Sequence, residues 1–311
     1  MQLIKNLDQI DRPYRNSVIT IGNFDGVHLG HQALFSKVIE KAGELDGTSV
    51  AMTFEPHPVR VLKLNAYHPL ITLYEQKAEL IADLEIDVLI CIPFTMEFAS
   101  ISAKAFIEDI LVKLIGIKGI VVGEDYSFGK NREGNIDMLM EYGKRFGFEV
   151  SVVKGLSISD NLSGRISSTR IRDLISTGRM NEAQKMLGRY YQIRGTVVSG
   201  RNRGGRLLGF PTANINLYDE LSPKAGVYAV TVDIDNKKYK GVANIGYSPT
   251  FDDHIFTVEV HILGFKDEIY NKKIRVNFIK RLRDEKKFSD VSELSRQIEK
   301  DISKARDILV P

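Results

Sequence analysis

The chain has 311 residues, with 43 Lys and Arg against 40 Asp and Glu and a formal net charge of +3. That length favours two domains over one, and so even a balance, with no long run of one sign, offers no track for nucleic acid. The single cysteine, Cys91, excludes an intramolecular disulfide and fits a reducing compartment; no apolar run approaches the roughly 20 residues that cross a bilayer, and no secretion signal opens the chain, so a soluble cytoplasmic protein without membrane partners is expected.

Short apolar runs at 18–21, 49–54, 88–92, 120–122 and 149–153 alternate with stretches of helical period, the pattern of a parallel sheet covered by helices. Between the first two runs, Leu34, Val38, Ala42 and Leu45 recur at helical spacing, and Phe35 and Ile39 widen the stripe. Further helices are predicted over 74–84, 103–114 and 137–146, making the first half an α/β, Rossmann-like, doubly wound domain. A short helix follows Ser167, Ser168 and Thr169 and ends at Gly178; another covers 181–187. The texture then changes. Alternation at 191–198, 227–234, 256–263 and 273–278, broken by Gly, Pro, Asn and Asp, predicts antiparallel strands and an all-β second domain. Val291, Leu294, Ile298, Ile302, Ala305 and Leu309 form a closing helical stripe, with Asp290 and Glu293 set as a capping box. The change of period puts the boundary near 187–190, giving domains 1–187 and 188–311.

Two segments suit phosphate. The first, Gly22-Asn23-Phe24-Asp25-Gly26-Val27-His28-Leu29-Gly30-His31, directly follows a strand and opens a helix. Ligands in open α/β sheets bind beyond the carboxyl ends of the strands; glycines there let backbone approach a phosphate, and the helix aims its free N–H groups at the same place. His28 and His31, three residues apart on the opening turn, can both donate to phosphate oxygens as negative charge builds up. A metal-binding pair or two surface histidines are the other readings, but no cysteine or third histidine lies nearby in sequence. Farther on, Ile166-Ser167-Ser168-Thr169-Arg170-Ile171-Arg172 sets three hydroxyls before a helix and two arginines in its first turn, a cradle for anions or an N-cap followed by solvated charges.

His-x-Gly-His together with Ile-Ser-Ser-Thr-x-Ile-Arg resembles the signature pair of the nucleotidylyltransferase superfamily. In full it resembles the adenylyltransferase module of bacterial bifunctional FAD synthetases, over residues 17 to about 187, including the segments 53–58 and 122–129. Tyr126 stands where family members often carry Phe. The resemblance implies that the phosphate of FMN attacks the α-phosphate of ATP and releases pyrophosphate, with no covalent enzyme intermediate. It implies that His28 and His31 bind the triphosphate, that Ser168, Thr169 and Arg172 hold its β and γ phosphates, and that Gly22, Asn23, Phe24, Asp25 and Gly26 form the binding turn. Phe54, Pro56, His57, Pro58, Asp125 and Phe128 would line the flavin side, although 53–58 also reads as a strand end stopped by two prolines.

The second segment, 200–214, is rich in Gly and Arg but lacks the order of a P-loop. A basic loop of this kind can fold over a nucleotide. It ends in Pro211-Thr212-Ala213-Asn214, where the Thr212 hydroxyl and the Asn214 amide carbonyl are hard oxygen ligands suited to Mg²⁺ on ATP; the same tetrapeptide also reads as a turn into a strand. In 256–263, alternation sends Val258, Val260 and Ile262 to one face and Glu259 and His261 to the other. Glu259 is thereby a candidate base for an alcohol, or one charge on a solvated strand face.

These elements, with Gly226-Val227-Tyr228, Asn244-Ile245-Gly246, Pro249-Thr250-Phe251 and 258–261, closely resemble riboflavin kinase, over about 190 to the last helix. The resemblance implies a six-stranded antiparallel Greek-key barrel. It makes Thr212 and Asn214 the Mg²⁺-ATP ligands and Glu259 the base for the riboflavin 5′-hydroxyl. The loop containing Gly200, Arg201, Gly205 and Gly209 would close on the nucleotide, and Arg283 would border the flavin unless it is an exposed turn residue. The partners so implied are ATP, riboflavin, FMN and FAD. Two other readings stay open: an RNA-binding protein, since His-x-Gly-His also marks class I aminoacyl-tRNA synthetases, and a kinase whose first domain only senses nucleotide. Against the former, the second domain lacks aromatics interleaved with Lys and Arg.

Overall fold

The computed structural model describes residues 1–63, 68–157, 164–198, 210–217, 219–247 and 256–310. Packing divides the chain into two compact units, one formed by 1–68 and 72–167, the other by 69–71 and 168–311.

The first unit is a six-stranded parallel sheet. In chain order its strands are β1 (Gln2–Ile4), β2 (Ser17–Ile21), β3 (Ser49–Glu55), β4 (Val88–Pro93), β5 (Ile117–Gly123) and β6 (Glu149–Val153), and across the sheet they run β1-β4-β3-β2-β5-β6. The central strands read as continuous apolar runs because both faces are covered. Val18, Ala51, Leu89 and Val121 meet Phe35 and Val38 of helix α1 (Leu29–Glu44) on one face. Ile19, Val50, Ile90 and Ile120 meet Ile107 and Leu111 on the other. After α1 come the short α2 (Pro58–Leu62), α3 (Tyr74–Ala82) and α4 (Met96–Ala99). The helix predicted over 103–114 is a turn of α-helix, α5 (Ala103–Ala105), continued as a π-helix over Phe106–Ile115; α6 (Ile136–Phe146) then leads to β6. The chain moves from β2 to β3 and β4 on one side, then returns to β5 on the other side of β2. That reversal opens a crevice at the carboxyl end of β2, where the first phosphate segment lies.

The second unit is a closed antiparallel barrel of six strands in the order β10-β11-β8-β7-β12-β9. Its strands are β7 (Tyr191–Val198), β8 (Ala213–Asn216), β9 (Gly226–Ile234), β10 (Lys237–Tyr247), β11 (Phe256–Ile262) and β12 (Lys273–Arg283). Closure leaves no open edge. Tyr191, Ile193 and Val197 alternate inward along β7, and the Tyr191 and Tyr228 rings pack on Phe278 inside the barrel. Helices α7 (Ser168–Ser176) and α8 (Met180–Leu187) belong to this unit, with α8 on β12 and β7. Compact packing therefore divides the chain about 20 residues before the hydrophobic period changes. Helical period reveals an apolar stripe but not which partner buries it.

The last helix, α9 (Val291–Ile308), lays Ala305 and Leu309 against Ala229 of β9. Asp290 caps it, accepting from the Glu293 N–H at 2.8 Å. Glu293 reaches back one residue farther than a capping box predicts, accepting from Ser289 N–H at 3.0 Å and Ser289 Oγ at 2.9 Å. Its ion pair with Lys286 and these bonds hold the Glu293 carboxyl down at about 2. Asp290→Ala is expected to lower the stability of this unit by about 1 kcal/mol, measured by urea unfolding.

Candidate functional site

The turn from β2 into α1 is held in an uncommon backbone conformation. Phe24, Gly26 and Val27 have φ of 47°, 89° and 40°; only the glycine takes such an angle without strain. Surrounding bonds fix it. Asp25 Oδ1 accepts from Thr72 N–H at 3.0 Å, and Gly26 N–H donates to Thr72 Oγ1 at 2.9 Å. The Asn23 carbonyl accepts from Thr53 Oγ1 and Lys77 Nζ, each at 3.2 Å, and Lys77 Nζ also donates to Thr53 Oγ1 at 3.2 Å. Gly22 ends β2 with its N–H on the Met52 carbonyl, 3.0 Å away.

His28 is the N-cap of α1. Its Nδ1 accepts from the His31 N–H at 3.2 Å, which leaves the ring proton on Nε2 as a donor. The His28 and His31 rings stack, centroids 3.5 Å apart, and the Phe24 ring meets His31 edge-on at 5.3 Å. Gly30 is required by this stack, since a Cβ there would lie 3.1 Å from His28 Cε1. In the same unit the Ile166 carbonyl lies 4.0 Å from that Cβ position, so the segment leading to the second anion motif passes the start of α1.

Phe54 ends β3 half-buried, with Phe94 and Phe98 at 5.5 and 5.8 Å, an aromatic wall of which the last two residues escape sequence reasoning. Pro56 is exposed, Pro58 opens α2, and His57 caps that helix, its Nδ1 accepting from Val59 N–H at 3.3 Å while its ring packs on His68. Asp125 is exposed and pairs with Arg165 at 2.9 Å. Phe24 and Phe128 are core residues, 1% and 8% exposed, the latter between Tyr126 and Phe106. Ser168 and Thr169 open α7 in the second unit, and Arg172 Nε donates to the Pro69 carbonyl at 3.2 Å.

On the barrel, the register sets Asn214, Glu259 and Asn244 in one row across β8, β11 and β10. Directly opposed residues point to the same face, so the three share the outside of the barrel while Val258 and Val260 fill its inside. Glu259 and Asn244, with Thr212, Arg283, Phe288 and Asp301, line a cavity of about 310 Å³ walled by α9. Burial pushes the Glu259 carboxyl above its ordinary range. A second cavity of about 400 Å³, with Val197, Pro211, Phe265 and Tyr270 in its wall, shares Thr212. His261 Nδ1 donates to the Pro211 carbonyl at 2.9 Å, fixing the segment that carries Thr212. Arg283 donates through Nε and Nη2 to Asp301 Oδ2 at 2.9 and 2.8 Å, and Asp301 Oδ1 accepts from Gln297. Gly200, Arg201, Gly205, Gly209 and the motif 249–251 lie outside the described residues.

Lys77 and Asp301 are not found by sequence reasoning, and Asn244 stands in the motif 244–246 but receives no role from it. For the first two a signal exists: Lys77 lies between Leu73 and Ile81 at four-residue spacing, and Asp301 beside Ile298 and Ile302, each a charge set into an apolar stripe. Among the described residues no three His, Cys, Asp or Glu side chains gather as a metal site.

A parallel sheet whose switch point carries a histidine-capped helix, joined to a closed barrel carrying a half-buried carboxylate, defines an enzyme of two phosphate-handling modules. The family follows from comparison with known proteins. Residues 11–170 match the FAD synthetase family and 187–309 match riboflavin kinase. Bifunctional riboflavin kinase/FMN adenylyltransferases from Listeria monocytogenes, Buchnera aphidicola of Schizaphis graminum and Escherichia coli K12 are 41%, 38% and 36% identical to it over 290, 305 and 309 residues. Those alignments cover 92%, 97% and 99% of this chain and 90%, 97% and 97% of the relatives. The chain belongs to this bifunctional family. The crystal structure of a macrolide-efflux protein from Streptococcus pneumoniae shares the fold, with a TM-score of 0.88 and 35% identity over 98% of both chains. Among the described residues of this chain, no helix is long and apolar enough to cross a membrane.

The Arg283–Asp301 pair yields a stability prediction. Asp301 is 2% exposed and the Arg283 side chain 21%, so Asp301→Ala leaves a largely buried guanidinium without its counter-ion. The expected loss is about 2–3 kcal/mol in urea unfolding, most of it recovered in Arg283→Leu/Asp301→Leu.

Proposed function

We propose that the barrel phosphorylates the 5′-hydroxyl of riboflavin from ATP and that the α/β unit transfers AMP from a second ATP to the FMN so formed, giving FAD. The observation that carries this reading is the Asn214–Glu259–Asn244 row, of which Glu259 and Asn244 line a cavity large enough for part of a flavin. Glu259 accepts the hydroxyl proton as the new O–P bond forms at the γ-phosphate and the bond to the β-phosphate oxygen breaks, releasing ADP. Its raised pKa suits a base that must take a proton near neutral pH. The second cavity, across Thr212, suits the nucleotide.

Magnesium fits the donor set: the Thr212 hydroxyl and the Asn214 amide oxygen are hard ligands of the kind that hold this ion on nucleotide phosphates, where it neutralises charge. In the α/β unit the nucleophile is an FMN phosphate oxygen, already anionic, which needs no base. It attacks the α-phosphorus, the bond to the β-phosphate oxygen breaks, and pyrophosphate leaves. His28, through Nε2–H, and His31 stabilise the charge, aided by the N-terminus of α1. Ser168, Thr169 and Arg172 are proposed to hold the outer phosphates. The buried Cys91 thiol fits work in the reducing cytoplasm.

Riboflavin with Mg²⁺-ATP is expected to yield both FMN and FAD on chromatography. FMN alone would make the first unit a nucleotide sensor, and neither product would overturn the reading. Asn214→Ala is expected to abolish FMN formation while leaving FAD formation from supplied FMN, and His31→Ala to do the converse. Glu259→Gln is expected to slow phosphorylation by roughly 10²-fold or more. In the wild type the kinase rate is expected to fall with decreasing pH at a midpoint above the ordinary carboxylate range, because only the ionised Glu259 accepts the proton and burial has raised its pKa. The Gln variant should lose that limb.

A further inference from the structure

Neither proposed reaction uses Lys77, and its burial calls for an explanation. Lys77 is 4% exposed, and its Nζ donates to two neutral oxygens, the Asn23 carbonyl and Thr53 Oγ1, each 3.2 Å away. Taking an ammonium out of water is costly, and burial pushes the Lys77 pKa down, with Glu55, Cys91 and Asp25 opposing. Methionine would fill the same space without that cost. The charge is therefore kept for what it holds, and what it holds is the first peptide of the turn in which Phe24 and Val27 have left-handed backbone. Two donors, Lys77 and Thr53, converge on one carbonyl; five residues before Lys77 on the same segment, Thr72 binds Asp25 and Gly26. Without this clamp the Asn23 peptide can rotate, Phe24 and Val27 can relax to ordinary angles, and the His28 cap loses its register.

We propose that Lys77 is a positioning residue for adenylyl transfer: through the Asn23 carbonyl it holds the 22–27 turn, and with it His28 and His31, in the geometry that receives the triphosphate. This rests on the adenylyl-transfer reading above. Lys77→Met in the full chain separates positioning from mere space filling. The expected result is a fall of about 10²-fold in kcat for pyrophosphate release from FMN and ATP, with KM for FMN and the riboflavin kinase rate unchanged. Amide exchange in a peptide covering 22–31 should rise on the order of tenfold, with the strands of the sheet still protected. Thr53→Val, which removes one of the two donors, should show the same changes at smaller size and carries the test if the methionine variant fails to fold. Wild-type kcat in Lys77→Met, or a lowered kcat with unchanged exchange over 22–31, overturns the proposal. A wild-type chain that releases no pyrophosphate refutes adenylyl transfer itself, and the exchange measurement then still decides whether the clamp exists.

Discussion

The first unit depends on a turn that cannot hold itself. Left-handed angles at Phe24 and Val27 cost on the order of 1–3 kcal/mol each, and Val27 is β-branched. The turn persists because Asp25, Asn23 and Gly26 are bonded to Thr72 just before α3, to Lys77 within α3 and to Thr53 near the end of β3. The strain sits at the switch point of the sheet, where a parallel fold leaves a crevice and helix α1 begins. Architecture supplies the place, and the turn supplies the angle at which two imidazoles meet it.

The barrel solves a different problem by different means. Its interior is filled with apolar side chains, so the polar row lies on the outer face, and α9 turns part of that face into a cavity wall. Strand register alone aligns Asn214, Glu259 and Asn244. A carboxylate half out of water binds its proton more tightly, which a solvated strand face would not achieve. The contrast matches the proposed nucleophiles: a phosphate that is already charged meets donors only, and an alcohol that must lose a proton meets a base.

Much of this is legible in the sequence because the elements that matter most have strong periods. The strand at 18–21, helix α1, the inward alternation of Val258, Val260 and Ile262, and the closing stripe from Val291 to Leu309 are each readable from hydrophobic spacing. β1 and β8 are too short for a period, and β10 escapes because Lys237, Lys238, Lys240 and Gly241 dilute its alternation. Of the candidate site residues, those in motifs were found. Lys77 and Asp301 were not, since a charge is assigned to solvent by default and only packing shows it enclosed. Asn244 belongs to a motif already legible in the sequence, but its place beside Glu259 is set by register, a relation between strands that no single segment contains.

Helix α7 carries one further consequence. Ser168, Thr169 and Arg172 belong to the motif that pairs with His-x-Gly-His, yet the helix bearing them packs with the barrel's unit, and the two family matches, ending at 170 and resuming at 187, leave most of α7 and α8 between them. The family matches and the compact units thus divide the chain at different places. A cut at the point where the hydrophobic period changes would strip α7 and α8 from the barrel's unit and bare the parts of β12 and β7 on which α8 packs.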